Sequence, residues 1–384
     1  MLVRIANEPR DYAWGSTSAI ADYLGTPPTG RPQAELWLGA HPTCPAKVDG
    51  RGLDEVLAEA GLEQPRFLLK LLAAAAPLSL QAHPDAEQAA EGFAREEAAG
   101  VPRDAATRTY RDPSAKPELV VAVTRFEALS GFRPVRHSMR ALDALALLDN
   151  RVRPFATAAR SSVQDAVRWM LAGDERALSV VHGVVEGVER LSEAFARERD
   201  TVHRLAAAAP GDPAIPIALL LHRVSLEPGQ ALFLPAGNLH AYLEGLAVEL
   251  MGQSDNVVRG GLTQKHVDRD ELLRILDFTE IDEPRVPAEA LDGAVGWRPD
   301  APFALRRVTG QHTLERTGQL IILAAADTEV RLRGRCLFLR RGEGGFAVDG
   351  SGASIASADA WVASPWTPLG EHIPGAPEAT RQRQ

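Results

Sequence analysis

Gln81 and His83 stand one residue apart in Ser79-Leu80-Gln81-Ala82-His83-Pro84-Asp85. Successive side chains of an extended chain point to opposite faces, so both face one way, about 7 Å apart at about 3.3 Å per residue. Leu78 and Leu80 are then expected to pack on the other side. An amide oxygen and an imidazole on one strand face supply half of a four-point metal site. Two segments can complete it: Lys116-Pro117-Glu118 brings a carboxylate, and Pro235-Ala236-Gly237-Asn238-Leu239-His240 brings a second imidazole. Two nitrogens and two oxygens without a thiolate suit Zn²⁺, one ion per chain, with a position left open for water or substrate. Fe²⁺ or Mn²⁺ fits the same set.

The residues around His240 follow a turn-strand-turn pattern. Pro228-Gly229 makes a turn, Ala231 to Leu234 a buried strand, and Pro235-Ala236-Gly237 a second turn, after which His240 enters a strand facing inward. The spacing Gly-x5-Pro-x-Gly-x2-His resembles the second metal motif of the cupin superfamily, small jelly-roll barrels that hold a metal in the mouth. The run from Glu249 to Lys265 is a concentrated polar block that includes Asp255. Its Arg259 and Lys265 stand beside Gly260 and Gly261, where the backbone can approach closely. An arginine fork and a lysine point charge there are suited to gripping a phosphate.

The elements that must position these groups change period along the chain. Residues 1–136 read as short apolar strands between turns, for example Phe67-Leu68-Leu69 and Leu119 to Val123, with a short helix at Leu53 to Ala60. A helix is expected over Ala86 to Ala99, with Glu91 and Arg95 as an i,i+4 pair on its solvent face. From 137 to about 210 apolar residues recur at helical spacing, with Ser161 or Ser162 as a cap, Gly173 as a stop, and Pro210-Gly211-Asp212-Pro213 ending the run. His182 and His203 there carry no evident chemistry. Strand signals return with Ile215 to Leu221 and continue to about 260, and Asp268 to Leu276 reads as a helix. The periods predict a mainly β chain with an all-α domain at 137–212 and a C-terminal β-sandwich domain at 286–384, and the cupin resemblance implies that 1–136 plus 213–285 form a jelly-roll domain. The polar tail after Pro374 reads as disordered.

Bulk properties exclude several classes. A chain of 384 residues is too long for one ordinary core. Its 45% hydrophobic and 24% charged residues match a soluble globular enzyme. A net charge of −9 without a basic stripe argues against nucleic acid. No signal peptide or membrane span is evident, and Cys44 and Cys336 lie far apart, so a reducing, cytoplasmic setting is expected. The expected partner is a small molecule, with no nucleic acid and no membrane, and the chain is expected to be a monomer or weak homo-oligomer.

Several motifs in order resemble the type I phosphomannose isomerases through most of the length: Tyr12-Ala13-Trp14-Gly15, Glu35-Leu36-Trp37-Leu38-Gly39-Ala40-His41-Pro42, Pro77 to Pro84, Lys116-Pro117-Glu118, Gly131-Phe132-Arg133, and Leu234 to Lys265. The resemblance implies that Gln81, His83, Glu118 and His240 ligate zinc. It also implies that Trp14, Ser79, Lys116, Glu249, Arg259 and Lys265 line the pocket, with Arg259 implicated in catalysis. Asp255 joins Trp14, Ser79 and Lys265 as a substrate-binding candidate. The implied reaction interconverts mannose 6-phosphate and fructose 6-phosphate through an enediol(ate), which needs a base near C1 and C2, a cation at the developing oxyanion and a grip on the phosphate. Arg259 is expected to stabilise the enediolate or hold the phosphate, and Lys116 and Glu249 are the candidates for proton handling.

One departure stands out. The family pattern Tyr-x-Asp-x-Asn-His-Lys-Pro-Glu appears here as Tyr110-Arg111-Asp112-Pro113-Ser114-Ala115-Lys116-Pro117-Glu118. A mechanism that uses that histidine as proton carrier cannot operate in this chain. Two other readings follow: a non-catalytic sugar-phosphate-binding bicupin, or an Fe-dependent cupin oxygenase, against which the glutamine and the Arg259/Lys265 block count.

Overall fold

The computed structural model describes residues 1–315 and 317–366, and the tail after Pro374 lies outside them. Its centre is the 13-residue strand His240–Gly252. The first part of that strand pairs with Leu80–Ala82 and Phe126–Phe132, and the second part with Phe67–Ala74 and Glu118–Ala122. A bulge between Tyr242 and Glu244 marks the change of partners. One strand thereby serves two faces of a ten-stranded assembly. Between those faces lie Leu72, Val120, Phe126, Val224, Leu234 and Tyr242, with Trp14 and Leu78 against them. Leu80 and Ala82 point the other way, into the helices. The strand begins only at Leu80, so the alternation does not extend to Leu78, which packs with the interior rather than behind the strand.

Five helices (Val135–Leu148, Arg153–Ser161, Val163–Ala172, Glu175–Gly187 and Ala196–Ala208) bury their apolar stripes against the outer face of this layer. The Ser162 side chain caps the third of them by accepting from the Asp165 N–H at 3.1 Å, and Gly173 ends it at φ 66°. Ile215 to Leu221 departs from expectation: Ala214–Ala218 is a short helix and the strand starts at Leu221. Every residue of that helix is buried, and a short fully buried apolar run has no period that separates helix from strand. The Ala86–Ala98 helix forms with Asp85 and Gln88 as a reciprocal capping box. Its Arg95 pairs with Glu271 at 3.1 Å, and Glu91 faces Arg274 at 3.9 Å, so the expected Glu91–Arg95 pair is replaced by contacts with the helix Arg269–Ile275.

The C-terminal strands form a seven-stranded sheet facing a four-stranded one. The seven-stranded sheet takes in Leu2–Ile5 from the other end of the chain, paired antiparallel with Gly344–Ala347. Its opposite face, carrying Trp297, Phe303, Ile321, Phe346 and Trp361, packs on Leu36, Leu69, Leu71, Val121 and Leu250 of the first assembly. The assembly that carries Gln81 and His240 is therefore backed by a β layer on one side and helices on the other.

Candidate metal centre

Three backbone junctions bring the ligand candidates together. In strand register Gln81 lies beside both His240 and Arg259. His83 follows directly at the strand end, and Glu118 opens a strand opposite Leu234 and Met251. The Pro235–Gly237 turn is tied to the first junction by the Gly237 N–H, which donates to the His83 carbonyl at 2.9 Å. Gly237 has φ 75°, and a Cβ there would stand 2.8 Å from the Ile275 carbonyl oxygen, so this turn requires glycine.

His83 Nε2 lies 3.2 Å from Glu118 Oε1, and His240 Nε2 lies 3.4 Å from Glu118 Oε2. The three residues offer ligand atoms within 4.8 Å of one another, and all three are buried. Each imidazole uses its other nitrogen on a carbonyl: His83 Nδ1–H donates to Asn256 O at 2.8 Å and His240 Nδ1–H to Asn238 O at 3.0 Å. These bonds leave both Nε2 lone pairs aimed inward. His83 Nε2, His240 Nε2 and Glu118 Oε2 have no hydrogen-bond partner, although each is buried. Three converging orphaned atoms in a protein interior carry a desolvation cost that a divalent cation removes. The donor set fits a metal such as zinc.

The electrostatics prepare the same state. Burial and the nearby Lys116 push His83 down to about 4, so its imidazole is neutral and free to ligate. Burial alone would raise Glu118, but Lys116 Nζ at 2.9 Å and the two imidazoles hold it well below the usual carboxylate range. Gln81 is half-buried, and its Oε1 accepts from Ser79 Oγ at 2.9 Å.

The other candidates fall into four groups. Arg259 and Lys265 lie within electrostatic reach of each other and of Arg111; burial and the neighbouring cations lower both. Glu249, 2% exposed, accepts from Tyr242 Oη at 2.9 Å and from Lys70 Nζ at 3.1 Å. Burial raises its carboxyl, Lys70 counters in part, and Glu118 and Glu35 raise it further. Asp255 receives His41 Nε2 at 3.5 Å, and its own N–H donates to Asp112 Oδ2 at 2.8 Å. The Thr43 N–H donates to His41 Nδ1 at 3.3 Å, which leaves the ring proton on Nε2, facing Asp255. Trp14 stacks on Tyr12 at 5.8 Å and borders the interior cluster that contains Tyr242.

Three residues were not singled out by motif. Asn256 is fully buried and clips the segment before Lys116 to the His83 strand. Its Oδ1 accepts from the Arg111 N–H at 2.8 Å, its Nδ2 donates to Asp112 O at 2.7 Å and Ser114 O at 3.0 Å, and its carbonyl holds His83. Arg111 joins Arg259 and Lys265. Lys70 stands 4.8 Å from the Trp37 ring centroid, between Glu35 and Glu249. A lysine inside the apolar run Phe67–Ala74 was the one available signal, because a buried ammonium must have a partner.

The profile for the phosphomannose isomerase type I catalytic domain matches residues 2–135. The mannose-6-phosphate isomerase of Salmonella typhimurium is 34% identical over 376 residues, covering 89% of this chain and 94% of the relative. That of Escherichia coli is 37% identical over 298 residues, covering 72% and 74%. A crystal structure of mannose 6-phosphate isomerase bound with zinc and yttrium superposes with a TM-score of 0.85 at 28% identity, over 95% of this chain and 99% of that one.

Proposed function

The chain belongs to the type I phosphomannose isomerase family, and from that premise we propose that it interconverts mannose 6-phosphate and fructose 6-phosphate at the His83–Glu118–His240 centre, with zinc as its metal and Gln81 as the fourth ligand. The observation that carries this reading is the set of three buried, partnerless ligand atoms next to the Lys116 ammonium. Bound zinc supplies Lewis acidity for the substrate oxygens.

The residues of this chain divide the remaining work. Arg259, Lys265 and Arg111 form the positive end of the cleft and hold the phosphate, with Arg259 also facing charge that develops on the enediolate. Lys116, anchored on Glu118, donates to the oxygen that becomes negative. Glu249, whose carboxyl burial lifts, is the proton-accepting candidate, oriented by Tyr242 and Lys70. This division needs no side chain at Ala115. Ser79 fixes Gln81, and Trp14 walls the apolar side of the cleft.

We also read the metal-bearing layers as a cupin barrel, with 137–212 as a helical domain and 286–384 as a C-terminal β domain that borrows Leu2–Ile5. Among the described residues no helix is long and apolar enough to cross a membrane. The two free cysteines fit a reducing setting, and we place the enzyme in the cytoplasm as a monomer or weak homo-oligomer. A coupled assay of mannose 6-phosphate turnover, before and after chelation and after zinc is restored, tests the function. Absence of turnover with zinc fully bound would overturn it in favour of a sugar-phosphate-binding protein.

A further inference from the structure

A cavity of about 350 Å³ opens between the helical layer and the edge strand Leu221–Leu226, and it shares no lining residue with the metal centre or the Arg259 cluster. Four arginines line it (Arg133, Arg140, Arg197 and Arg223) against a single carboxylate, Glu198. In a chain of net charge −9 this local excess runs opposite to the average.

Two of the four arginines are already engaged. Arg133 reaches Glu198 at 3.4 Å and donates to Leu219 O at 2.9 Å, and Arg223 pairs with Glu127 at 2.9 Å and Asp200 at 3.0 Å. The other two forks remain. Arg197 donates to the Ser225 hydroxyl at 2.9 Å, and among the described residues neither Arg197 nor Arg140 forms an ion pair. Partial burial lowers Arg197, Glu127 and Glu198 raise it in part, and Arg223 and Arg285 lower it. A guanidinium fork with no carboxylate partner is satisfied by an anion that brings oxygens to it.

The shape narrows the class of anion. Arg140 comes from the helix Val135–Leu148 and Arg197 from the helix Ala196–Ala208, so two guanidiniums enter from separate elements. A carboxylate has two oxygens and satisfies one fork, whereas a phosphomonoester has three terminal oxygens and close to two charges, enough for both. Phe195, Leu219 and Leu221 supply an apolar wall for the rest of the ligand, and the volume lies in the range of small-molecule sites. We propose that this cavity is a binding site for a small phosphorylated molecule, with its phosphate held between Arg140 and Arg197, separate from the catalytic cleft.

The test titrates inorganic phosphate into the zinc-loaded full chain by calorimetry, comparing wild type, R140Q/R197Q and R259Q/K265Q. The expected result is a phosphate-binding event that R259Q/K265Q keeps and that R140Q/R197Q weakens by about tenfold or more. Both arginines are exposed, so R140Q/R197Q is expected to keep the wild-type melting temperature and mannose 6-phosphate turnover. R140K/R197K, which keeps the charge but not the fork, is expected to bind with intermediate affinity. Unchanged phosphate binding in R140Q/R197Q, or loss of all phosphate binding in R259Q/K265Q, would overturn the proposal.

Discussion

Lys70 Nζ lies 3.1 Å from Glu249 Oε2 and 3.6 Å from Glu35 Oε1, and all three side chains are at least nine-tenths buried. One ammonium thus balances two carboxylates in the interior, with Trp37 Nε1 donating to the far oxygen of Glu35 at 2.9 Å. Burial opposes the charge on Lys70, but Glu35 and Glu249 more than compensate and raise it above the usual lysine range. Removing the cation alone leaves two carboxylates desolvated and facing each other. Lys70→Met is therefore expected to destabilise the fold by about 3–5 kcal/mol, read as a shift in the urea midpoint. A loss below about 1 kcal/mol would mean that the trio is solvated in solution.

Asn256 makes a second prediction about the metal. Its side chain bonds the Arg111, Asp112 and Ser114 backbone while its carbonyl orients His83. In Asn256→Ala the carbonyl stays but the segment leading to Lys116 and Glu118 is released. Zinc affinity, measured by chelator competition, is expected to fall about 10–100-fold, the usual consequence of losing an outer partner of a ligand. Asn256→Asp should do no better, because it places a carboxylate oxygen where Nδ2 donates to two carbonyls.

The metal-free protein should be acid-sensitive in a defined window. Burial and Lys116 depress His83 from 6.5 to about 4, so between those values the unfolded chain binds a proton that the folded chain does not. Stability then rises with pH across this interval, and it falls as pH drops from 6.5 towards 4, by up to about 3 kcal/mol. Denaturant midpoints of the apo protein at pH 7, 5.5 and 4.5 check the sign. His83→Gln should flatten the profile; an identical slope in that variant would assign the effect to another group.

That His83, Glu118 and His240 could meet was readable because metal chemistry restricts residue choice and because turn glycines such as Gly237 are forced by backbone geometry. The groups that orient the donors were not. Asn256 acts through backbone atoms of a loop more than 140 positions away, and no local pattern records that contact. Lys70 was present in an apolar run, but its partners Glu35 and Glu249 come from two other strands. The Leu2–Ile5 strand shows the same limit for the fold, since its pairing with Gly344–Ala347 joins the two ends of the chain. Ile215 to Leu221 failed for a different reason: complete burial erased the periodicity that would have marked a helix.

The altered positions Ser114 and Ala115 permit a direct test of where the proton goes. The Ser114 carbonyl accepts from Ser254 Oγ at 3.2 Å and from Asn256 Nδ2 at 3.0 Å, so the backbone there is held whatever the next side chain is. If Glu249 accepts the proton in this chain, a histidine at 115 adds a group that the reaction does not require. Ala115→His is then expected to change kcat by less than about threefold, whereas Glu249→Gln removes a general base and should lower it by about 10²–10⁴-fold. Glu249→Gln keeps the shape and an acceptor for Tyr242, and the Lys70–Glu35 pair survives, so a near-normal melting temperature would separate lost chemistry from lost fold. Solvent deuterium incorporation at C2 of the sugar phosphate reads the same step without the coupling enzymes. A large gain in kcat for Ala115→His with little loss for Glu249→Gln would move the proton-transfer role away from Glu249.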